Sequence, residues 1–401
     1  MTDTLPTIRM KPKMDPRRIR FGYPWVYDNE LVMDRRTKAL APGTVALLED
    51  EGRAPLALVA VTPGSRIAAR VLDRPDVPGL DMAWFVDRFA RALALRERLF
   101  SDPFYRLIHA EADGMPGVII DRFGDTAVVQ PNAAWAEAHL EMLTAALIRV
   151  TGVTTVLKSA GGRARKLEGL DDQDATLAGT TPTAPVPVPM NGATYMADLT
   201  GGQKTGLFFD QRPNHAFAAR LAKGARVLDV FSHVGGFGLA CLAAGAETAL
   251  AVDGSRPALD LAEEGARQSG LADRFATRQG DAFDTLTALG EEGEAFDVVI
   301  CDPPAFAPSK QALDAGLRAY ERIARLAAPL VREGGYLGLC SCSHAADLEK
   351  FRTACTRGIG RGLHGSGRTS QLIQTGYAGP DHPMHPQLAE SGYLKALFFR
   401  L

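Results

Sequence analysis

The 401-residue sequence is 46% hydrophobic and 23% charged, with 40 glycines and 25 prolines, the composition of a globular protein with many turns, which excludes a disordered or fibrous chain. A formal net charge of −2 excludes nucleic-acid binding by bulk charge and leaves it to local patches. No apolar run approaches bilayer length, so no membrane partner is expected and the cytoplasm is the expected compartment. The length exceeds one usual hydrophobic core, so two or three domains are expected. Five cysteines, all in the C-terminal half, are too sparse for a disulfide framework and should be free thiols.

In chain order, the first feature is a basic stretch. Arg9, Lys11, Lys13, Arg17, Arg18 and Arg20 face a single acid, Asp15, which suits RNA phosphates and suits a solvated, mobile terminus equally well. Short runs such as Thr44-Val-Ala-Leu-Leu, Ala57-Leu-Val-Ala-Val and Ile67-Ala-Ala-Arg-Val-Leu predict a small β-rich module over residues 1–74. After the Pro- and Gly-rich break at Asp73, a helix is predicted from Trp84 to about Leu99, then a turn at Asp113-Gly-Met-Pro-Gly, a strand at Val118, and a helix from about Ala134 to Val150. These make a central α/β domain over 75–185, in which Arg163, Arg165 and Lys166 either extend an RNA surface or belong to a solvated loop. Asn191-Gly192, between Val186-Pro-Val-Pro-Met and Ala193-Thr-Tyr-Met-Ala, predicts a tight hairpin opening a last domain over 186–401.

From Ala225 strands alternate with helices: Arg226-Val-Leu-Asp-Val-Phe, Thr248-Ala-Leu-Ala-Val-Asp, Phe296-Asp-Val-Val-Ile-Cys-Asp and Tyr336-Leu-Gly-Leu-Cys-Ser. The fold class is therefore α/β, a mostly parallel sheet covered on both faces. Ligands bind at the carboxyl edge of such sheets. There the sequence places the small residues Gly235 and Gly236, then Asp253, suited to ribose hydroxyls, and Asp281, suited to an adenine edge. The turn lacks the Gly-x-Gly-x-x-Gly spacing of pyrophosphate sites and the Walker lysine. A nucleoside without phosphates fits better, with Asp229 available to an ammonium group. Helix N-capping explains each acid singly, but not the set as well.

Asp302, in Cys301-Asp-Pro-Pro-Ala-Phe, ends the next strand, on a loop the prolines stiffen; alternation turns Cys301 to the core. The following strand ends in Cys340-Ser-Cys-Ser-His344. That run has no second ligand pair for zinc, and no metal is expected. A thiol here has another use: added to carbon 6 of a pyrimidine, it makes carbon 5 nucleophilic enough to take a methyl group. An inert buried cysteine is the alternative.

Taken together, Leu228-Asp-Val-Phe-Ser-His-Val-Gly-Gly-Phe, Val252-Asp-Gly-Ser, Gly280-Asp-Ala and Cys301-Asp-Pro-Pro-Ala-Phe resemble the ordered motifs of class I methyltransferases. Thr205-Gly-Leu-Phe-Phe-Asp-Gln-Arg212, Arg18-Ile-Arg-Phe-Gly-Tyr-Pro-Trp, Ala110-Glu-Ala-Asp-Gly-Met-Pro-Gly, Asp381-His-Pro-Met and Tyr393-Leu-Lys are similar to segments of the bacterial large-subunit rRNA cytosine-C5 methyltransferases with an N-terminal PUA domain. The resemblance implies a PUA barrel, a central α/β domain and a Rossmann-like domain that uses S-adenosyl-L-methionine to form 5-methylcytosine in large-subunit ribosomal RNA. It implies Cys342, rather than Cys340, as nucleophile and Asp302 as the group that binds the flipped cytosine. The cofactor set becomes Phe209, Gln211, Arg212, Asp229, Phe231, Gly235, Gly236, Asp253, Gly254, Asp281, Ala282 and Asp302. The RNA set becomes Arg17, Arg18, Arg20 and Lys204, and a homodimer is left open. Ala305 stands where many RNA cytosine-C5 enzymes have a second cysteine, and His233 where Tyr is common. Uracil-C5 methylation, nitrogen methylation and an idle RNA-binding assembly factor are the competing readings.

Overall fold

The computed structural model describes residues 5–201 and 206–401; Lys204 lies outside them. The chain divides into two compact units, the first holding residues up to Thr183 together with Asp381–Ala389, the second holding most of the remainder.

The first unit opens with β1 (Thr7–Arg9), α1 (Arg17–Arg20), β2 (Trp25–Tyr27), α2 (Arg35–Lys38), β3 (Thr44–Glu49), β4 (Pro55–Val61) and β5 (Ile67–Asp73). The strands make one sheet in the order β1-β3-β4-β5-β2. Six successive residues of β4 are buried, as expected of a central strand covered on both faces. Next come α3 (Met82–Leu99), β6 (Phe104–His109), β7 (Val118–Phe123), β8 (Thr126–Pro131), α4 (Ala134–Ala138), α5 (Leu140–Thr151), β9 (Thr155–Lys158), α6 (Arg163–Leu167) and β10 (Ala175–Ala178), with a second sheet ordered β10-β9-β8-β7-β6. Helix α3 starts where Asp81 accepts from Trp84 N at 2.8 Å and turns Phe85, Phe89, Ala92 and Arg96 inward at helical spacing.

Two expectations change here. The helix predicted over Ala134–Val150 breaks at His139, whose ring Nδ1 lies 2.7 Å from the Trp135 carbonyl that its own N–H also uses. Arg165 cannot serve an RNA surface: it is buried, donating to Pro131 O at 2.6 Å and Glu137 Oε2 at 2.8 Å. The Asp381-His-Pro-Met segment is structural in this unit. Asp381 accepts from Arg106 N through its side chain and from Arg96 through its carbonyl, and the His382 and His109 rings lie 5.0 Å apart.

The second unit opens with the hairpin β11 (Val186–Met190) and β12 (Ala193–Ala197). Its turn residues Asn191 and Gly192 have φ of 51° and 80°, the double positive φ the dipeptide predicted. There follow α7 (Arg212–Leu221), β13 (Arg226–Val230), α8 (Gly236–Ala243), β14 (Thr248–Asp253), α9 (Arg256–Gln268), β15 (Phe275–Gln279), α10 (Ala282–Glu291), β16 (Phe296–Cys301), α11 (Leu313–Ala327), β17 (Val331–Ser341), α12 (Leu348–Gly362), β18 (Gln371–Gly376) and β19 (Lys395–Arg400). The seven-stranded sheet runs β15-β14-β13-β16-β17-β19-β18. The first five strands are parallel and β19 is antiparallel to both neighbours. Alternation splits the core: Leu228, Val230, Val299 and Leu339 face one apolar cluster, Val227, Val298, Ile300 and Cys340 the other. Parallel pairing brings the carboxyl ends of β13, β14, β15, β16 and β17 to one edge, where the candidate residues collect.

Candidate cofactor and reaction site

The loop after β13 is held in a conformation that costs free energy. Phe231 and His233 have φ of 61° and 49°, and Gly235 has 82°; each non-glycine residue in this region costs about 1–2 kcal/mol. Tertiary bonds hold the loop there. Ser232 N donates to Val252 O at 3.0 Å and His233 N to Asp253 Oδ2 at 2.9 Å. A Cβ on Gly236 would sit 2.8 Å from His215 Nε2, so only glycine lets α8 start this close to α7.

The predicted acids take distinct positions. Asp229 is fully buried beneath the turn, where its Oδ2 accepts from Phe237 N at 3.1 Å and Gly238 N at 2.8 Å while Oδ1 has no partner among the described residues. Burial pushes its carboxyl up to about 7 against the pull of those two N–H groups. Asp253 is half-buried at the end of β14, accepting from His233 N and from Ser255 N. Asp281 is exposed two residues past β15 and caps α10 through Phe283 N and Asp284 N. Beside it, Ala282 is buried, and a Cβ added at Gly254 would meet only the Gly280 carbonyl, at 4.0 Å. Each acid thus shapes a loop or helix start, and all lie on or under one edge.

A cleft opens at that edge, walled by Tyr195 of the hairpin, Phe208, Gln211, His215, Phe231, Ser232 and Asp302. Ser232 Oγ and His215 Nδ1 are buried there without a hydrogen-bond partner among the described residues, and buried polar atoms left so are rare and costly; the Gln211 side chain reaches toward Asp302. Burial holds the His215 ring neutral, down to about 3, with Arg212 adding to the effect. Arg212 lies 5.3 Å above the buried Phe209 ring, outside the cleft wall. A small ligand with polar groups and a flat or cationic part to set against aromatic rings fits this set. S-adenosyl-L-methionine, with an adenine, a sulfonium and an amino-acid end, has those parts, and Gln211, Ser232, His215 and the aromatic walls would hold it. Tyr195 and His215 had no motif to mark them in the sequence.

At the reacting end, Asp302 N donates to Val230 O at 3.1 Å, joining its loop to that of β13. Burial, reinforced by the Asp210 carboxylate, pushes the Asp302 carboxyl up to about 8. Cys301 pairs in register with Leu339, so Asp302 and the Cys340–Cys342 stretch leave neighbouring strands side by side. Among the described residues no cysteine forms a disulfide, and of the five Cys342 alone is not buried. Cys340, 1% exposed, sits in the core, where burial pushes its thiol well up. Ser341 and Ser343 point the other way, both bonded to the Tyr320 hydroxyl, at 2.8 and 2.7 Å. Tyr393 donates to Asp210 Oδ2 at 2.6 Å.

In the first unit, the basic patch is partly neutralised. Arg18 pairs with Glu30 at 2.6 Å and Arg20 with Asp50 at 3.0 Å, whereas Arg17 is 75% exposed and only 3.9 Å from Asp15.

A Rossmann-like sheet with this cleft at its carboxyl edge defines an S-adenosylmethionine-dependent methyltransferase, and residues 137–372 match the family model of that description, with 8–74 matching a PUA-like domain. A SAM-dependent methyltransferase from Streptococcus mutans shares the fold, with a TM-score of 0.80 at 18% identity over 99% of this chain and 100% of that one. A methyltransferase solved in complex with SAH does so at 0.81 and 18%, over 99% of each chain. Ribosomal RNA large subunit methyltransferase I of Alteromonas mediterranea is 35% identical over 97% of both chains, and that of Vibrio cholerae 34% over 94% of this chain and 95% of its own. The chain belongs to the ribosomal RNA large subunit methyltransferase I family.

Proposed function

We propose that this enzyme methylates carbon 5 of a cytosine in large-subunit ribosomal RNA, with Cys342 as nucleophile. The observation that carries the reading is the contrast among five thiols: four are buried, and the fifth, Cys342, is part-exposed just past the end of β17, the strand that pairs with the one leading to Asp302. Cys342 as thiolate forms a bond to carbon 6 of a cytosine turned out of its helix. Asp302, holding a proton near neutrality, donates to N3 and accepts from the N4 amino group, so that ring charge is absorbed as the sulfur adds. S-adenosyl-L-methionine supplies the electrophilic methyl that the resulting nucleophilic carbon takes. Water then takes the carbon 5 proton, the C6–S bond breaks to release Cys342 as thiolate, and N3 gives its proton back to Asp302. Asp253 and Asp281 are assigned to the ribose and adenine ends of the cofactor, with Gly254 and Ala282 leaving room there; Gln211, Phe231, Gly235 and Gly236 frame its other end.

The same reading divides the chain into a PUA-like RNA-binding domain over 1–74, a central domain over 75–185 and the methyltransferase domain over 186–401, acting in the cytoplasm. Arg17 is the first RNA contact; Arg18 and Arg20 must exchange Glu30 and Asp50 for phosphate. The test is transfer of labelled methyl to protein-free large-subunit rRNA, followed by nucleoside mass spectrometry. The wild type should yield 5-methylcytosine and Cys342→Ala none; a different methylated nucleoside, or an active variant, overturns the chemistry.

A further inference from the structure

Strand β19 carries a charged residue inside the sheet. Lys395 is 5% exposed and pairs in antiparallel register with Ser341, the last residue of β17. Its Nζ donates to Ser343 O and to Ala346 O, both at 2.8 Å. These carbonyls lie on the turn that follows β17, so one ammonium ties down the segment that begins with Cys342. An ammonium has three donors, and those two carbonyls use two. A buried cation is costly unless bonded, yet among the described residues Lys395 forms no ion pair. A strut alone does not need a charge, since a neutral amide can bond carbonyls as well.

The groups around it sharpen the point. Burial pulls the Lys395 ammonium down from its ordinary value, and Cys342 and Asp347 oppose that pull. The ammonium holds the carbonyl of Ser343, the residue next to Cys342, so cation and thiol share one turn. From α11, Tyr320 reaches the same turn through Ser341 and Ser343, and burial keeps its hydroxyl neutral. From the start of α12, Asp347 is occupied with Lys350. His344, in the turn, packs 5.8 Å from the Tyr393 ring.

We infer that Lys395 is a positioning residue that clasps the Cys342 turn with two hydrogen bonds and places a positive charge beside the sulfur, so that it stands as a thiolate before the pyrimidine arrives. The inference rests on the reading of Cys342 as nucleophile. In the step concerned the S–H bond of Cys342 breaks and its proton passes to water; Lys395 keeps its own proton, and nothing is oxidised or reduced. The charge-neutral state of the site is then the thiolate–ammonium pair, which is also the reactive one.

The experiment measures the rate at which iodoacetamide alkylates Cys342, followed peptide by peptide by mass spectrometry across pH, in the full-length wild type, Lys395→Gln and Lys395→Met. Binding of S-adenosylhomocysteine, measured by calorimetry, reports whether each variant is folded. In the wild type the midpoint should lie below the ordinary thiol value of about 8.5. In Lys395→Gln, which keeps a carbonyl-bonding group and loses the charge, it should rise by about one pH unit. The rate at pH 7 then falls roughly three- to tenfold, because greater intrinsic nucleophilicity offsets part of the lost thiolate. A Lys395→Gln variant that binds the nucleoside with an unchanged midpoint overturns the inference, as does faster alkylation of Lys395→Met at an unchanged midpoint, which marks a strut and nothing more. If neither variant folds, a wild-type midpoint at or above about 8.5 still overturns it. The alkylation profile is independent of methyl transfer, so an active Cys342→Ala enzyme removes the nucleophile reading without being confused with a failure of Lys395.

Discussion

The carboxyl of Asp302 has a protonation state that decides both what it can do and what it costs. Burial beside Asp210 lifts it to about 8, so below that pH it can give a proton to a cytosine ring nitrogen and above it cannot. The single-turnover methylation rate should therefore fall as pH rises through about 8. Asp302→Asn should lose that limb and run about 10²-fold slower or worse, which a pH series at saturating cofactor checks. The sign for stability follows from the same group. Between the ordinary carboxylate value and about 8 the native state holds a proton that the unfolded chain has released, so stability declines as pH climbs through that window, and the variant should show a flatter dependence. The strand-end positions of Asp253 and Asp302 were legible in the sequence because each ends or follows an apolar strand run, whereas Asp281 follows the largely polar run Phe275–Gln279. Lys395 was not legible: its partners Ser343 and Ala346 lie 52 and 49 residues away. The positive φ of Phe231 and His233 was equally hidden, because bonds from neighbouring strands impose it against local preference.

Elements show the same division between local and tertiary causes. The strands of the second sheet could be read because alternating strand and helix periods are local, and the hairpin because Asn191-Gly192 is a turn signal in itself. Strand β18 could not, since its first four residues are exposed and have no core face to pattern. Close packing of α12 on α11 was also invisible, and it rests on single glycines. A Cβ at Gly358 would stand 2.7 Å from Ala324 Cβ and press on the Glu321 carbonyl, whereas at Gly360, in the same helix, nothing lies within 4 Å. Gly358→Ala should accordingly destabilise the protein by about 1–3 kcal/mol through overpacking. Gly360→Ala should stabilise it by up to about 1 kcal/mol, since alanine is the better helix former. Urea midpoints for the two variants should move in opposite directions while binding of S-adenosylhomocysteine holds, because neither residue touches the cleft.

At the scale of the whole molecule, composition and charge set the class early, and the division into units had to wait for the cores. The Pro- and Gly-rich stretch after Asp73 marks a change of pattern, yet Ala60 and Leu72 on one side of it share a core with Trp84, Phe85 and Trp135 on the other; packing, not chain order, decides what unfolds together. Among the described residues, all that line the cleft belong to the second unit. A ligand that binds only the folded state of that unit stabilises it by mass action, about 2.7 kcal/mol at one hundred times the dissociation constant. Native-state hydrogen exchange with saturating S-adenosylhomocysteine should therefore slow the deepest amides of β13, β14 and β16 by roughly one hundredfold. Amides of β4 and β7, in the first unit, should exchange at unchanged rates if the two units open separately. Equal protection in both would mean that the chain unfolds as one cooperative body, and that cofactor binding stabilises the PUA-like module as much as the catalytic sheet.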